Sequence, residues 1–364
     1  MFENNDVTSS SEIDSSSIVF DPIDLLNTNF EPSELSLPLD FEIAQLELIE
    51  SEPEADHELF TPGELSLINL DVNGMERSYE IYVPEGHEGP MPVMYVFHGL
   101  IDKNPEGLMA AETDMNRYAE ENGFIAVYPL AHAGEDGFYS WNSAGAGLTD
   151  TDPSYDDVDY VQEVVNSLTE DLGLDIDTRD QILAGFSEGG EFVHHLAGEM
   201  PGVFTDRASV HGTLLGTETR SIEGMPTLII HGDEDYMLPY DGGMGFMSRG
   251  ANIATFGDLS RIRDSQPSLQ SQWAQEANGC EGEPEISINS INEYIDSFMP
   301  LGIEHTFTRA ENTDESCNGN PVVVYQISPG MHAWHGVGEG GIPFGMKNPF
   351  FNVSEAIVDE LLGY

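Results

Sequence analysis

The sequence predicts an α/β fold with a mostly parallel central sheet, and three observations predict it. The segments PVMYVFHG (92–99), FIAVYP (124–129), QILAGFS (181–187), ASVHGTL (208–214), TLIIHGD (227–233) and VVVYQIS (322–328) are mostly continuous apolar runs bounded by turn residues. Runs of this kind read as strands buried on both faces, as in a parallel sheet. Helical patterns stand between them: Asp157 to Leu172 places Val158, Val161, Val164, Val165, Leu168 and Leu172 on one face, behind the acidic pair Asp156 and Asp157. Strands alternating with helices imply a sheet covered by helices on both faces.

The remaining segments follow in chain order. Residues 1–60 are rich in Ser, Asp and Glu, with prolines at 22, 32, 38 and 53 and no sustained period, so they read as a mostly disordered acidic segment. From Glu64 the texture changes. ELSLINLDVNG and RSYEIYVPEG alternate apolar and polar residues around Asn73-Gly74, which predicts an antiparallel N-terminal hairpin. A single catalytic-sized domain over 61–364 is expected, within which 241–289 breaks the alternation and reads as a small inserted cap. No internal repeat is visible.

Composition excludes several classes of function. With 67 Asp plus Glu against 11 Lys plus Arg, the net charge is −56, which repels nucleic acid and anionic membrane surfaces. Lys103 and Lys347 are the two lysines, a balance that fits adaptation to high ionic strength as well as it fits plain acidic solubility. No apolar run approaches the roughly 18 residues that span a bilayer. The opening MFENNDVTSS has neither a basic n-region nor an apolar h-region, so no signal peptide is visible. Two cysteines, Cys280 and Cys317, are too few for a disulfide scaffold and lack zinc-site spacing, although they can form one bridge.

The chemistry centres on Gly185-Phe186-Ser187-Glu188-Gly189, a G-x-S-x-G pentapeptide. In a chain with 37 glycines its context must decide its meaning. Ser187 follows the apolar strand QILAGF and precedes a predicted helix, EGGEFVHHLAGEM, closed by Pro201. That strand, sharp turn and helix form the setting in which a serine hydroxyl is lifted clear of a sheet as a nucleophile. A hydroxyl attacks only when a base takes its proton, so a histidine and an orienting carboxylate are required. In the α/β-hydrolase order both lie downstream, each beyond a strand end. Asp235 is the expected acid, with Asp233 as the alternative. Among His305, His332 and His335, His332 is the expected base, because it follows VVVYQIS and Pro329-Gly330. His335 is the runner-up, and His305 sits in a strand-like stretch, EHTFTR, as a structural histidine. The oxyanion that forms needs backbone N–H donors, expected from Glu188, after the nucleophile, and from Leu100, in the loop after PVMYVFHG.

With these residues the chain resembles the polyhydroxybutyrate depolymerase and feruloyl esterase family of α/β hydrolases. The resemblance runs from about Arg77 to Leu362 and is carried by VFHG, SWNS, DDVDYVQEVV, GFSEGG, HGDEDYMLPY, the two cysteines and GMHAWHG. It implies an α/β-hydrolase fold, Ser187 as nucleophile, His332 as base, Asp235 as its partner, and a disulfide between Cys280 and Cys317. Trp141 in SWNS and Trp334 beside His332 look like aromatic residues lining the substrate pocket. Glu188 departs from the small or polar residues usual beside the nucleophile, and Leu100 from the small residue or cysteine that often follows His-Gly. The implied activity is serine-dependent hydrolysis of hydroxyalkanoate, feruloyl or acetyl esters, or of a polyester, by a secreted protein expected to be a monomer. Alternatives are an S9-type serine peptidase, which shares the scaffold and triad order, and a non-catalytic binding protein on the same scaffold. No cofactor is expected and no metal: Asp150, Asp152, Asp156 and Asp157 cluster without the glycine and terminal glutamate of a calcium loop.

Overall fold

The computed structural model describes residues 59–135, 137–142, 156–214, 224–242, 267–293, 303–336 and 346–363. The chain divides into two units, Met1–Ala55 and Asp56–Tyr364. The first unit, and with it nearly all of the acidic segment expected to be disordered, lies outside the described residues.

The described residues form a ten-stranded sheet. The strands are β1 (Leu65–Val72), β2 (Met75–Tyr82), β3 (Met91–Phe97), β4 (Ile125–Pro129), β5 (Ile176–Phe186), β6 (Asp206–Val210), β7 (Thr227–Gly232), β8 (Glu285–Glu293), β9 (Ile303–Asn312) and β10 (Val322–Ser328). Their order across the sheet is β1-β2-β4-β3-β5-β6-β7-β10-β9-β8. The block from β4 to β10 is parallel throughout, while β1 and β2 on one side and β9 and β8 on the other pair antiparallel. This is the α/β-hydrolase fold, extended at one edge by the β9–β8 pair.

The β1–β2 turn shows why Asn73-Gly74 was legible. Asn73 and Gly74 both have positive φ, 57° and 85°, a conformation that Asn tolerates and Gly adopts freely, and whose twist suits a two-residue hairpin.

Residues alternate between the two faces of the central strands. On β3, Val93, Tyr95 and Phe97 enter one core while Met94 and Val96 enter the other. The first core is closed by α3 (Asp157–Glu170) and α4 (Glu188–Glu199), with Trp273 and Ala277 of α5 (Pro267–Asn278) packed against it. The second is closed by α1 (Leu108–Thr113), α2 (Met115–Asn122) and α6 (Val353–Leu361). Asp156 caps α3 by accepting from the N–H groups of Val158 and Asp159, which satisfies two of the helix's orphan donors. Its neighbour Asp157 turns inward to a buried ion pair, 2.7 Å from Arg77 Nη2, and also accepts from the N–H of Asn142.

The stretch expected to form an inserted cap, 241–289, is described only in part. Residues 267–278 form α5, and 285–293 form β8, which pairs with β9 and prolongs the central sheet. Cys280, just past α5, is joined to Cys317, in the turn between β9 and β10, by a disulfide. Among the described residues no helix is long and apolar enough to cross a membrane.

Candidate active site

The C-terminal edge of the parallel strands carries the site. At the end of β5, Ser187 has φ 55° and ψ −117°, a backbone conformation L-residues rarely adopt. The flanking glycines make that turn possible. A Cβ on Gly185 would stand 2.1 Å from the carbonyl oxygen of Gly189, and one on Gly189 would stand 2.4 Å from that of Phe97, so strand, turn and helix close up only where side chains are absent. The turn is pinned from β6, whose Val210 carbonyl accepts the N–H of Ser187. Within residues 182–190 Ser187 is the one residue that is not buried.

His332, in the loop after β10, places Nε2 3.0 Å from Ser187 Oγ and Nδ1 2.7 Å from Asp235 Oδ2. Asp235, in the turn after β7, accepts the backbone N–H groups of Met237 and Leu238 at Oδ1, 2.9 and 2.8 Å away. With His332 Nδ1–H donating to the carboxylate, Nε2 keeps a lone pair turned to the Ser187 hydroxyl. The carboxylate is buried, which by itself raises its pKa, but its electrostatic attraction to His332 and hydrogen bonds from three imidazoles hold it well below the usual carboxylate range.

The three expected members of the triad therefore meet, and the alternatives do not. His335 Nε2 faces His211 and not the serine, at 3.3 Å. His305 lies on β9, with Nδ1 3.0 Å from Asn348 Nδ2. Asp233 Oδ1 accepts the N–H of Gly330.

Of the two residues expected to offer backbone donors to an oxyanion, Glu188 follows the serine directly and Leu100 follows Gly99, which packs against it. Glu188 opens α4, so its N–H belongs to the first turn, where helical N–H groups have no acceptor within the helix. On the other side, a Cβ on Gly99 would meet Ser187 Cβ at 2.9 Å, so the loop that carries Leu100 passes against the serine.

The Glu188 side chain has a role that the sequence did not suggest. Its side chain is buried and accepts the Ser140 hydroxyl at 2.6 Å and the Trp141 N–H at 3.3 Å, tying the SWNS segment to the start of α4. Trp141 and Trp334, expected to line a pocket, are packed into the two cores. Trp141 is fully buried, stacks on Phe192 and donates Nε1–H to the His98 carbonyl. Trp334 donates its own indole N–H to Ser354 Oγ. Both rings and both polar handles are thus used inside the protein, and the pocket assignment is corrected on that ground.

Two histidines of the site were not expected from the sequence. His211, just past β6, directs Nδ1 to Asp235 Oδ2 at 2.7 Å, and His231, near the end of β7, places Nε2 3.3 Å from the same oxygen. A signal for them existed: ASVHG and TLIIHG each end a parallel strand in histidine, on the sheet edge where α/β proteins keep their sites. Burial lowers the pKa of His211 to about 4, so its bond to Asp235 joins a neutral imidazole to a carboxylate. The nitrogens of His211 and His332 and the Asp235 carboxylate lie within 4.8 Å of one another, a spacing that a metal ion could bridge. The nitrogens turned to the carboxylate carry protons, however, and a ligand nitrogen must offer a lone pair.

No family model matches the chain. "Putative esterase NocK" of Nocardia uniformis subsp. tsuyamanensis is 35% identical over 313 residues, covering 80% of this chain and 81% of that protein. The chain belongs to this esterase family. It is also 25% identical over 174 residues to the "Bifunctional acetylxylan esterase/xylanase XynS20E" of Neocallimastix patriciarum, a match that spans 48% of this chain and only 24% of that protein. Among solved structures, an acetyl xylan esterase from Aspergillus awamori is 12% identical with a TM-score of 0.43, over 74% of this chain and 94% of that one. A thermostable esterase is 18% identical with a TM-score of 0.40, over 48% of each chain. Nothing further rests on these two likenesses.

Proposed function

We propose that this esterase-family chain is a serine hydrolase of carboxylic esters that works through an acyl-enzyme on Ser187. The observation that carries the reading is the continuous hydrogen-bonded line Ser187 Oγ, His332, Asp235, set at the strained turn after β5.

In this reading Oγ attacks the ester carbonyl while its proton passes to His332 Nε2. Asp235 holds the imidazole in the tautomer that accepts it and stabilises the imidazolium that results. The carbonyl oxygen, now an anion, is met by the N–H groups of Glu188 and Leu100, donors worth about 2.7 to 4 kcal/mol each in the transition state. Collapse of the tetrahedral intermediate expels the alcohol, which takes its proton from His332. A water molecule, deprotonated by the same nitrogen, then releases the acid and restores Ser187.

For the ester we keep hydroxyalkanoate, feruloyl and acetyl compounds. The acetylxylan activity in the name of one relative supports the acetyl arm. We also propose export to an oxidising compartment, a reading the Cys280–Cys317 disulfide supports, and function at high ionic strength, which the net charge of −56 supports.

The test is a panel of hydroxybutyrate oligomers, methyl ferulate, acetylated xylan and short nitrophenyl esters, run with the wild type and Ser187→Ala. Wild-type turnover of at least one ester, lost by roughly 10³-fold or more in a Ser187→Ala protein of unchanged circular dichroism, is expected. A variant that keeps most of the activity would end the proposal.

A further inference from the structure

We propose that His211 is a positioning residue for Asp235, a second imidazole anchored on the oxygen that His332 uses, with its tautomer set by His335. Its consequence for catalysis rests on the serine-hydrolase reading, and its geometry on hydrogen-bond logic.

That logic starts outside the site. The backbone N–H of Asn348 donates to His335 Nδ1 at 2.9 Å, so that nitrogen carries a lone pair and the proton of His335 sits on Nε2. His335 Nε2 faces His211 Nε2 at 3.3 Å, which makes the latter an acceptor and leaves the proton of His211 on Nδ1. Nδ1–H then points at Asp235 Oδ2, 2.7 Å away. One backbone amide thus orders two imidazoles in series, and the series ends on the catalytic carboxylate.

The backbone bears the mark of the arrangement. His211 has φ 49°, and with Ser187 it is one of two non-glycine residues at the site held at positive φ. Such strain persists where surrounding structure over-determines it and clusters at functional sites. Here the N–H of His211 is held by the Ile230 carbonyl on β7, which aims the side chain towards the Asp235 turn.

The effect on Asp235 follows from counting donors. Oδ2 receives Nδ1–H from both His332 and His211 at 2.7 Å, with His231 Nε2 at 3.3 Å, while Oδ1 receives two backbone N–H groups. A carboxylate so held cannot rotate away from His332. Each added donor also withdraws charge from Oδ2 and so weakens its pull on a proton at His332. Removing one of the donors should therefore strengthen that pull. The titratable groups that face the cluster are His231 from β7, His332 and His335 from the loop after β10, and Lys347, whose charge opposes protonation of His335. Burial is the main reason His211 and His335 stay neutral, His211 down to about pH 4.

The experiment follows phosphonylation of Ser187 by a fluorophosphonate probe between pH 4 and 9, a reaction that needs the triad but no particular ester. In His211→Leu the acid limb of the rate profile should move up by about one pH unit and the plateau fall roughly tenfold. His211→Asn should restore most of both, because its amide nitrogen stands where Nδ1 stood and Asn tolerates the left-handed backbone. His335→Phe should shift the limb in the same direction by less. A folded His211→Leu with an unmoved limb, or His211→Asn behaving like His211→Leu, would reduce His211 to a packing residue and overturn the proposal. Nitrogen-15 spectra of the wild-type imidazoles supply a second test that is independent of reactivity. His211 protonated at Nδ1 and His335 at Nε2 are expected, and the opposite tautomer in either overturns the inference. A wild type that leaves Ser187 unlabelled while showing the expected tautomers would sink the serine-hydrolase reading and leave the anchoring geometry standing.

Discussion

The C-terminal edge of β5, β6, β7 and β10 and the outer pair β9–β8 belong to one sheet and are held in opposite ways. At the first, polar side chains are enclosed: His211, His231, His332, His335 and Asp235 are each at most 3% exposed, and His211 and His332 both bond Asp235 while His335 bonds His211. At the second, apolar side chains face solvent, with Ile286 66% and Ile288 64% exposed on the edge strand, and a disulfide ties the turn after β9 to the end of α5. The difference teaches where sequence is constrained. Buried imidazoles tolerate one protonation state and one geometry, since an unpaired buried polar group costs about 1–3 kcal/mol, whereas an exposed edge strand needs little beyond its backbone pairing.

The sharpest way to break that comparison lies at the centre. His332→Ala should lower ester turnover by roughly 10³-fold or more, and His335→Ala by far less, because in the proposed mechanism Ser187, His332 and Asp235 act as a unit and His335 hydrogen-bonds none of the three. Equal losses in steady-state kcat/KM would erase the distinction between base and support.

The next effect probes the outer region. Reducing the Cys280–Cys317 bridge, 37 residues apart in sequence, should destabilise the protein by about 4 kcal/mol on the chain-entropy scale. Chemical denaturation with and without reductant measures it. A midpoint unchanged by reduction would show that the β9–β10 turn is held by its hydrogen bonds alone.

Acid provides a third contrast. Burial lowers the pKa of His98 and His211 to about 4 and of His194 to about 3, against about 6.5 in an unfolded chain. Between those values the unfolded state binds more protons than the folded one. Stability should therefore be fully present above about pH 6.5 and fall as pH drops towards 4, by up to about 1.4 kcal/mol per pH unit for each histidine. Urea unfolding at pH 7, 6 and 5 reads the slope, which His211→Asn should make shallower by up to one proton. A flat profile over that range would contradict the buried neutral assignment.

The smallest effect is expected at the edge. Ile286→Thr and Ile288→Thr remove exposed apolar surface from a strand that keeps its pairing with β9, so stability should stay within about 0.5 kcal/mol of wild type in urea unfolding. A loss above about 1 kcal/mol would mean that this face is covered in the native protein.

Much of the centre was legible because its signals are local. Six apolar runs marked the parallel strands, Asn73-Gly74 marked the hairpin, and the glycines around Ser187 marked a turn whose flanking positions leave no room for a Cβ. Order and a place beyond a strand end narrowed the acid to Asp233 or Asp235 and set His332 above His305, whereas the distances of His332 to Ser187 and Asp235 separate the chosen pair from Asp233 and His335. The start of β5 was not legible, since its first residues, Ile176 to Asp180, include the polar run DTRD and are not buried. Strand β8 carries the alternation EISINSI, but that pattern suits any half-exposed strand, and its place beside β9 comes from pairing across the sheet.

What the sequence by itself determined is therefore the class of fold and the strained turn at Ser187, because each follows from backbone sterics or from periodicity within a few residues. Tertiary structure alone decided which nitrogen faces which oxygen. It turned Trp141 and Trp334 into the cores, gave Glu188 the SWNS backbone to hold, and brought His211 from β6 and His335 from beyond β10 onto one line with Asp235. The contacts of His211 join residues 24 and 124 positions apart, and a hydrogen bond over such a span exists only once the strands are laid side by side in register.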